Sequence, residues 1–229
     1  MDQIDPDALY DERIDVSRAR PLLQGDVFDG VVLPGFGDAP MKVQIVAHPC
    51  AMRAGANLTS RITVAPVAKY QAVTGKGWEG NLRVMPLAEL IDGENFATKL
   101  VDVTACPAEL LTRAHRVATL SHRGIYVLQQ RLVKHYTRLE MPLELLRRES
   151  APVLTEAEIQ WDWLEQVLNE AELGDDDAIA AEAGMFEEWL REGAPSAQER
   201  LRTEVYHADV RREAQRAAAQ RAQERETQG

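Results

Sequence analysis

Residues 25–67 read GDVFDGVVLPGFGDAPMKVQIVAHPCAMRAGANLTSRITVAPV, and runs of β-forming residues alternate there with Gly- and Pro-rich breaks. Strand formers dominate Asp26–Leu33 (DVFDGVVL). PGFGDAP (34–40) is a loop, since Gly supplies unusual backbone angles and Pro fixes them. Met41–Ala47 predicts a second strand, with Val43, Ile45 and Ala47 on one face and Lys42, Gln44 and Val46 on the other. Arg61–Val67 predicts a third, and Pro66 argues that it lies at an edge or terminus. Gly80–Pro86 and Thr98–Thr104 read as further strands. Short strands at this spacing indicate a small barrel rather than a βαβ sheet.

Outward from this core the texture changes. Residues 1–21 are polar and close at Pro21. Beyond Pro107 the apolar spacing becomes helical: Leu110, Leu111, Ala114, Val117 and Ala118 predict a helix over 108–120. Gly124 breaks it, and Ile125–Leu139 predicts the next, with Arg131, Lys134, His135 and Arg138 as a basic stripe. The last third reads as helical throughout. Thr155 with Glu158, and Ser196 with Glu199, fit capping boxes. Ile159, Trp163, Val167 and Ala171 recur every fourth residue, and Ile179, Ala183, Phe186 and Leu190 mark a helix opened by the acids at 175–177. After Val210 mostly Ala, Gln, Arg and Glu remain, so the final helix is expected to run into solvent and fray. The expected architecture is α+β. A polar segment (1–21) precedes a barrel (22–106), a basic helical section packed on it (107–149) and an acidic helical region (150–229).

The chain has 229 residues, 45% of them hydrophobic, and a net charge of −11. That composition argues against global disorder. No run approaches the ~20 apolar residues that span a bilayer. Two cysteines, with an acidic N-terminus unlike a signal peptide, predict reduced thiols in a soluble, cytoplasmic protein. Charge is segregated: residues 1–40 carry −6, 41–149 carry +6, 150–193 carry −12 and 194–229 carry +1. A basic centre suits contact with phosphate backbones, and acidic helices folding over it would screen it.

GDVFDGVVLP, the Gly-containing loop, KVQIVAHPC and NLTSRITVAPV resemble the core of PemK/MazF-like growth inhibitors, over residues 25–67. The resemblance implies an SH3-like barrel, and many members of that family are ribonucleases of toxin–antitoxin modules. The family's Arg-Pro pair before the second strand is replaced here by Met41-Lys42, and Ala68 and Lys69 stand where it tends to place a hydroxyl residue. Lys42 carries charge but lacks the planar fork of arginine. The resemblance therefore implies a binding protein of bacterial or phage mobile-element type, not one cleaving RNA by the family mechanism. A ribonuclease toxin and a protein-interaction module using the acidic helices stand as alternatives.

His48-Pro49-Cys50, followed by Arg53, supplies a titratable imidazole and a thiol near a strand end. With Lys42, His48 and Cys50 form the candidate catalytic set. His48 as a hydrogen-bonded barrel residue and Cys50 as a small core residue is the structural alternative. No CxxC or HxxxH spacing supports a metal site, and no cofactor is expected. RAHRVATLSHRGIYVLQQRLVKHYTR (113–138) contains no acid. It can be read as a helix-turn-helix or as a phosphate-contacting face. Arg53, Arg61, Arg131, Lys134 and Arg138 are the candidate nucleic-acid contacts, and Tyr126 and Tyr136 are candidates for stacking on bases. Trp163 and Trp189 suit internal packing, whereas Trp161 lies off the apolar stripe as a candidate exposed anchor. The expected partners are RNA or another polyanion and a protein; no membrane is expected, and a homodimer is open.

Overall fold

The computed structural model describes residues 6–54, 57–75 and 77–228. The chain is mixed α+β and divides into two units. The first comprises the described residues up to Val16, Leu22–Met52 and Thr59–Arg147. In chain order it holds α1 (Pro6–Leu9), β1 (Tyr10–Arg13), β2 (Val27–Val31), β3 (Met41–Ile45) and α2 (Pro49–Met52). The pair β4 (Arg53–Ala54) and β5 (Asn57–Leu58) comes next and belongs to the second unit. The first unit resumes with β6 (Arg61–Lys69), α3 (Gly77–Gly80), β7 (Val84–Ile91), β8 (Glu94–Lys99), β9 (Thr104–Pro107), β10 (Arg116–Leu120) and α4 (His122–Thr137). α5 (Leu143–Val167) contains the boundary between the units.

The strands form one antiparallel sheet in the order β1-β10-β2-β3-β6-β8-β7, with β9 also pairing β6. It is a nearly closed barrel, and the two ends of that order are linked by a side chain: Arg13 Nη1 on β1 donates to the Glu89 carbonyl on β7 at 2.7 Å. Glu89 sits at φ 50° where the β7–β8 register shifts, which turns its carbonyl out of the ladder. The core is apolar with a buried polar thread. Gln44 Nε2 donates to Gly25 O at 3.0 Å and Gln44 Oε1 accepts from Thr98 at 2.6 Å, both groups fully buried. Gln44 lies on the same face of β3 as Lys42 yet is fully buried, and a polar residue survives there by having its bonds satisfied internally.

Four expectations are corrected in this unit. Residues 10–13 lie within the predicted polar segment yet form β1, paired with β10. Residues 108–120 are not a helix: short 3₁₀ turns at Ala108–Leu110 and Arg113–His115 lead into β10, so no helix-turn-helix forms. Pro66 is in a central strand. It falls where β9 has stopped pairing at Val64 and β8 begins at Val67, so its missing N–H breaks no ladder on that side. Gly124 lies inside the first turn of α4, capped by Ser121, rather than between helices. A Cβ there would collide with the Leu9 carbonyl, and glycine admits that close approach.

The second unit comprises Ser17–Pro21, Arg53–Leu58 and the chain from Arg148 on. Its further helices are α6 (Glu170–Leu173), α7 (Asp176–Arg191), α8 (Ala197–Leu201) and α9 (His207–Gln228). The Ser196–Glu199 capping box forms, as does one at Asn169–Glu172. Thr155, by contrast, is inside the long α5, so its hydroxyl has no helix start to cap and lies 3.3 Å from His207 Nδ1. Trp163, Phe186 and Leu190 pack in one core with Val210, Ala214 and Ala218. The expected frayed tail is therefore a docked helix. Trp161 is not an exposed anchor either: the Arg20 guanidinium lies 4.9 Å over its ring, and its Nε1 donates to Glu165 at 2.6 Å. Among the described residues no helix is long and apolar enough to cross a membrane.

Candidate functional site

β2 and β3 are neighbours in the sheet, and their outward side chains meet. Lys42 Nζ lies 2.7 Å from Asp29 Oδ2 and 5.6 Å from the centre of the Phe96 ring. Asp29 Oδ1 accepts from Gly30 N–H at 2.8 Å. Partial burial pushes the Asp29 carboxyl up; the Lys42 bond and charge, the Gly30 donor and the nearby His115 outweigh it and hold the group below its ordinary value. This is a carboxylate with two basic groups around it, His115 arriving from the 3₁₀ turn before β10. His115 was not in the candidate catalytic set, because it is brought to β2 from more than eighty residues away.

His48 and Cys50 are elsewhere. β3 ends at Ile45 and a bend at Ala47 precedes His48; Lys42 pairs with Asp29 while His48 bonds the Cys50 backbone, so the three candidate catalytic residues are not joined in one constellation. His48 Nδ1 accepts the Cys50 backbone N–H at 3.3 Å, which directs the ring nitrogen to the backbone and not to the thiol. Burial lowers the imidazole pKa. Cys50 is exposed, in contrast to the buried small residue considered from sequence, and Cys106 is buried on β9 with its thiol pushed up by burial. Among the described residues no group of three or more His, Cys, Asp or Glu is placed to hold a metal ion.

The predicted basic stripe separates into different environments. Arg131 cannot contact a ligand: it is 0% exposed, its guanidinium donates to Asn81 O and Val84 O at 2.9 Å and to Trp78 O, and burial pulls its pKa down to about 10. It faces inward because α4 packs that side against the start of β7. Arg53 Nη1 donates to Gln160 at 3.0 Å within the second unit, and Arg61 Nη2 donates to Ala105 O at 2.9 Å. Lys134 lies 3.6 Å from Glu140. Elsewhere the central cations meet acids as well, Lys69 with Glu94 and the buried Arg116 with Asp26.

The last turn of α4 differs. His135 Nδ1 donates to Leu82 O at 2.9 Å, fixing the ring, and Tyr136 stands edge-on to it at 4.8 Å, 61% exposed. Arg138 follows in the left-handed cap, and Arg83 follows Leu82; both are exposed and neither has an acid partner among the described residues. Arg83 was missed from sequence, since nothing local ties the start of β7 to the end of a helix fifty residues later. No family model matches the sequence, and no curated protein matches it.

Proposed function

We propose that the first unit is a PemK/MazF-like barrel that binds RNA through the end of α4, without cleaving it by the family mechanism. The reading rests on the exposed Tyr136 held beside His135, flanked along the two chain segments by Arg138 and Arg83. A ring that can stack on a base and cations free to meet phosphate are the two ingredients of single-strand binding. Lys42, at the position of the family's Arg-Pro pair, is already occupied by Asp29. The experiment is anisotropy of a labelled single-stranded RNA against the full chain at about 50 and 300 mM NaCl. Binding should weaken steeply with salt; Arg83→Ala with Arg138→Ala, and Tyr136→Ala alone, should each weaken it about tenfold, within the ~1–3 kcal/mol of one stacked base. No binding at low salt, or binding indifferent to these changes, rejects the proposal.

One observation favours a ribonuclease as the second reading: Asp29 and Lys42 pair at 2.7 Å, and the turn that carries His115 packs against β2. Proton transfer from such groups is the chemistry RNA cleavage needs. RNA fragments on incubation, lost in His115→Ala but kept in His48→Ala, would select this reading.

A further inference from the structure

The Leu82 carbonyl decides which nitrogen of His135 carries a proton. A carbonyl only accepts, so Nδ1, 2.9 Å away, is the donor, and the neutral ring keeps its acceptor lone pair at Nε2. Nε2 lies on the side of the ring away from Leu82, reaches solvent and has no partner among the described residues. The tether is firm because the backbone on both sides of Leu82 is pinned. The buried Arg131 donates to the carbonyls of Asn81 and Val84 at 2.9 Å, and Arg83 N–H donates to Asn81 Oδ1 at 3.1 Å. The acceptor is thus aimed before any ligand arrives, which lowers the cost of using it.

Its surroundings suit one nucleotide. Tyr136 is 61% exposed with its ring centre 4.8 Å from that of His135, and the exposed Arg83 and Arg138 flank the pair along the two chain segments. In a nucleotide the sugar joins base to phosphate, so a base on Tyr136 with its phosphate at either arginine leaves the sugar between them, beside His135. Two kinds of donor could meet Nε2 there. Base N–H groups lie in the plane of the base, and the imidazole is turned 81° from the ring on which that base would stack, so they could meet its lone pair only along one line. A ribose hydroxyl stands off the base plane and its hydrogen rotates to suit the acceptor.

We infer, on the reading that RNA binds at this site, that His135 Nε2 accepts the 2′-hydroxyl of the nucleotide stacked on Tyr136. The end of α4 then takes RNA in preference to single-stranded DNA, because that hydroxyl is what separates the two. Arg131 is a positioning residue for this contact, since it fixes the segment that holds the ring.

The test is anisotropy of a short labelled oligouridine with the full chain in about 50 mM NaCl, against the same oligomer with 2′-deoxy and with 2′-O-methyl sugars. The methyl ether removes the hydroxyl hydrogen and keeps the sugar pucker of RNA, so it isolates the donor. The ribose oligomer should bind about fivefold more tightly than either of the others, the worth of one neutral hydrogen bond, and oligoadenosine should show the same gap. His135→Asn keeps an amide that can donate to the Leu82 carbonyl and lacks the distal acceptor. It should bring ribose binding down to the deoxy level and change deoxy binding by less than about twofold. Equal binding of ribose and deoxy oligomers by the unaltered chain overturns the inference and leaves the binding surface standing. A 2′-O-methyl oligomer that binds like the ribose one, a gap confined to one base, or a gap that survives His135→Asn overturns it in the same way. Binding of none of the oligomers overturns both the inference and the RNA reading beneath it. The sugar comparison on the unaltered chain needs no substitution, so it decides the matter even if the variant loses its fold.

Discussion

The two units handle arginine in opposite ways. In the barrel unit Arg131 and Arg116 are fully desolvated, the first held by backbone carbonyls and the second 2.9 Å from an equally buried Asp26. In the helical unit Arg211, Arg221 and Arg225 lie along a half-open seam between α9 and its neighbours. A buried guanidinium held by several acceptors acts as a structural pin, because removing it strands them all at once. A seam guanidinium competes continually with water and salt. The same residue type therefore acts as a fixed pin at Arg131 and Arg116 and as an adjustable tie along the α9 seam.

The sharpest way to break this contrast is Arg131→Ala. It strands three carbonyls beneath α4 and should lower the stability of the barrel unit by about 3–5 kcal/mol, read as lost amide protection in β3 and β7 during urea unfolding. A loss under ~1 kcal/mol would mean that Arg131 is no pin. Next comes Arg116→Ala, which leaves Asp26 buried and unpaired and should cost about 3 kcal/mol, whereas Arg116→Met with Asp26→Leu should restore most of it; equal losses in both would place the stabilisation in the charge itself. On the seam, Arg225→Gln should cost about 1 kcal/mol in about 50 mM NaCl, and that difference should vanish in about 0.5 M NaCl. A salt-independent loss would make the seam as rigid as the barrel.

The smallest effect concerns pH. Burial lowers the His48 pKa in the folded chain, so the unfolded chain takes up the proton first. Its contribution is complete above the ordinary value near 6.5 and falls as pH drops from there toward the lower folded value. Comparison of urea midpoints at about pH 7.5 and 5.5 should show a smaller acid loss in His48→Asn than in the unaltered chain. Equal losses would assign the acid sensitivity to other groups.

What the sequence made legible is what depends on local period. Strands β2, β3 and β6 and helices α4 and α7 follow from alternation or four-residue spacing, and the Ser196–Glu199 cap from two residues three apart. What was hidden depends on partners far along the chain. Leu110, Leu111, Ala114, Val117 and Ala118 satisfy a helical pattern, yet β10 is a strand because β1 and β2 pair with it on either side. Arg131 sits in a basic stripe, and only the position of Asn81 and Val84 reveals that it points inward. The docking of α9 did leave a signal, Val210, Ala214 and Ala218 at a constant interval beside arginines, but alanines are weak markers of burial. Of the candidate site, Lys42 was legible and its companions Asp29 and His115 were not.

The position of β10 has a consequence for how the protein is made. Residues 10–13 and 27–31 both find their neighbour at 116–120, so neither can complete its pairing until the ribosome has released most of the barrel. During synthesis the outer edge of β2 stays open, a template for stray strands, until that late segment arrives. Such long-range closure also makes for slow folding.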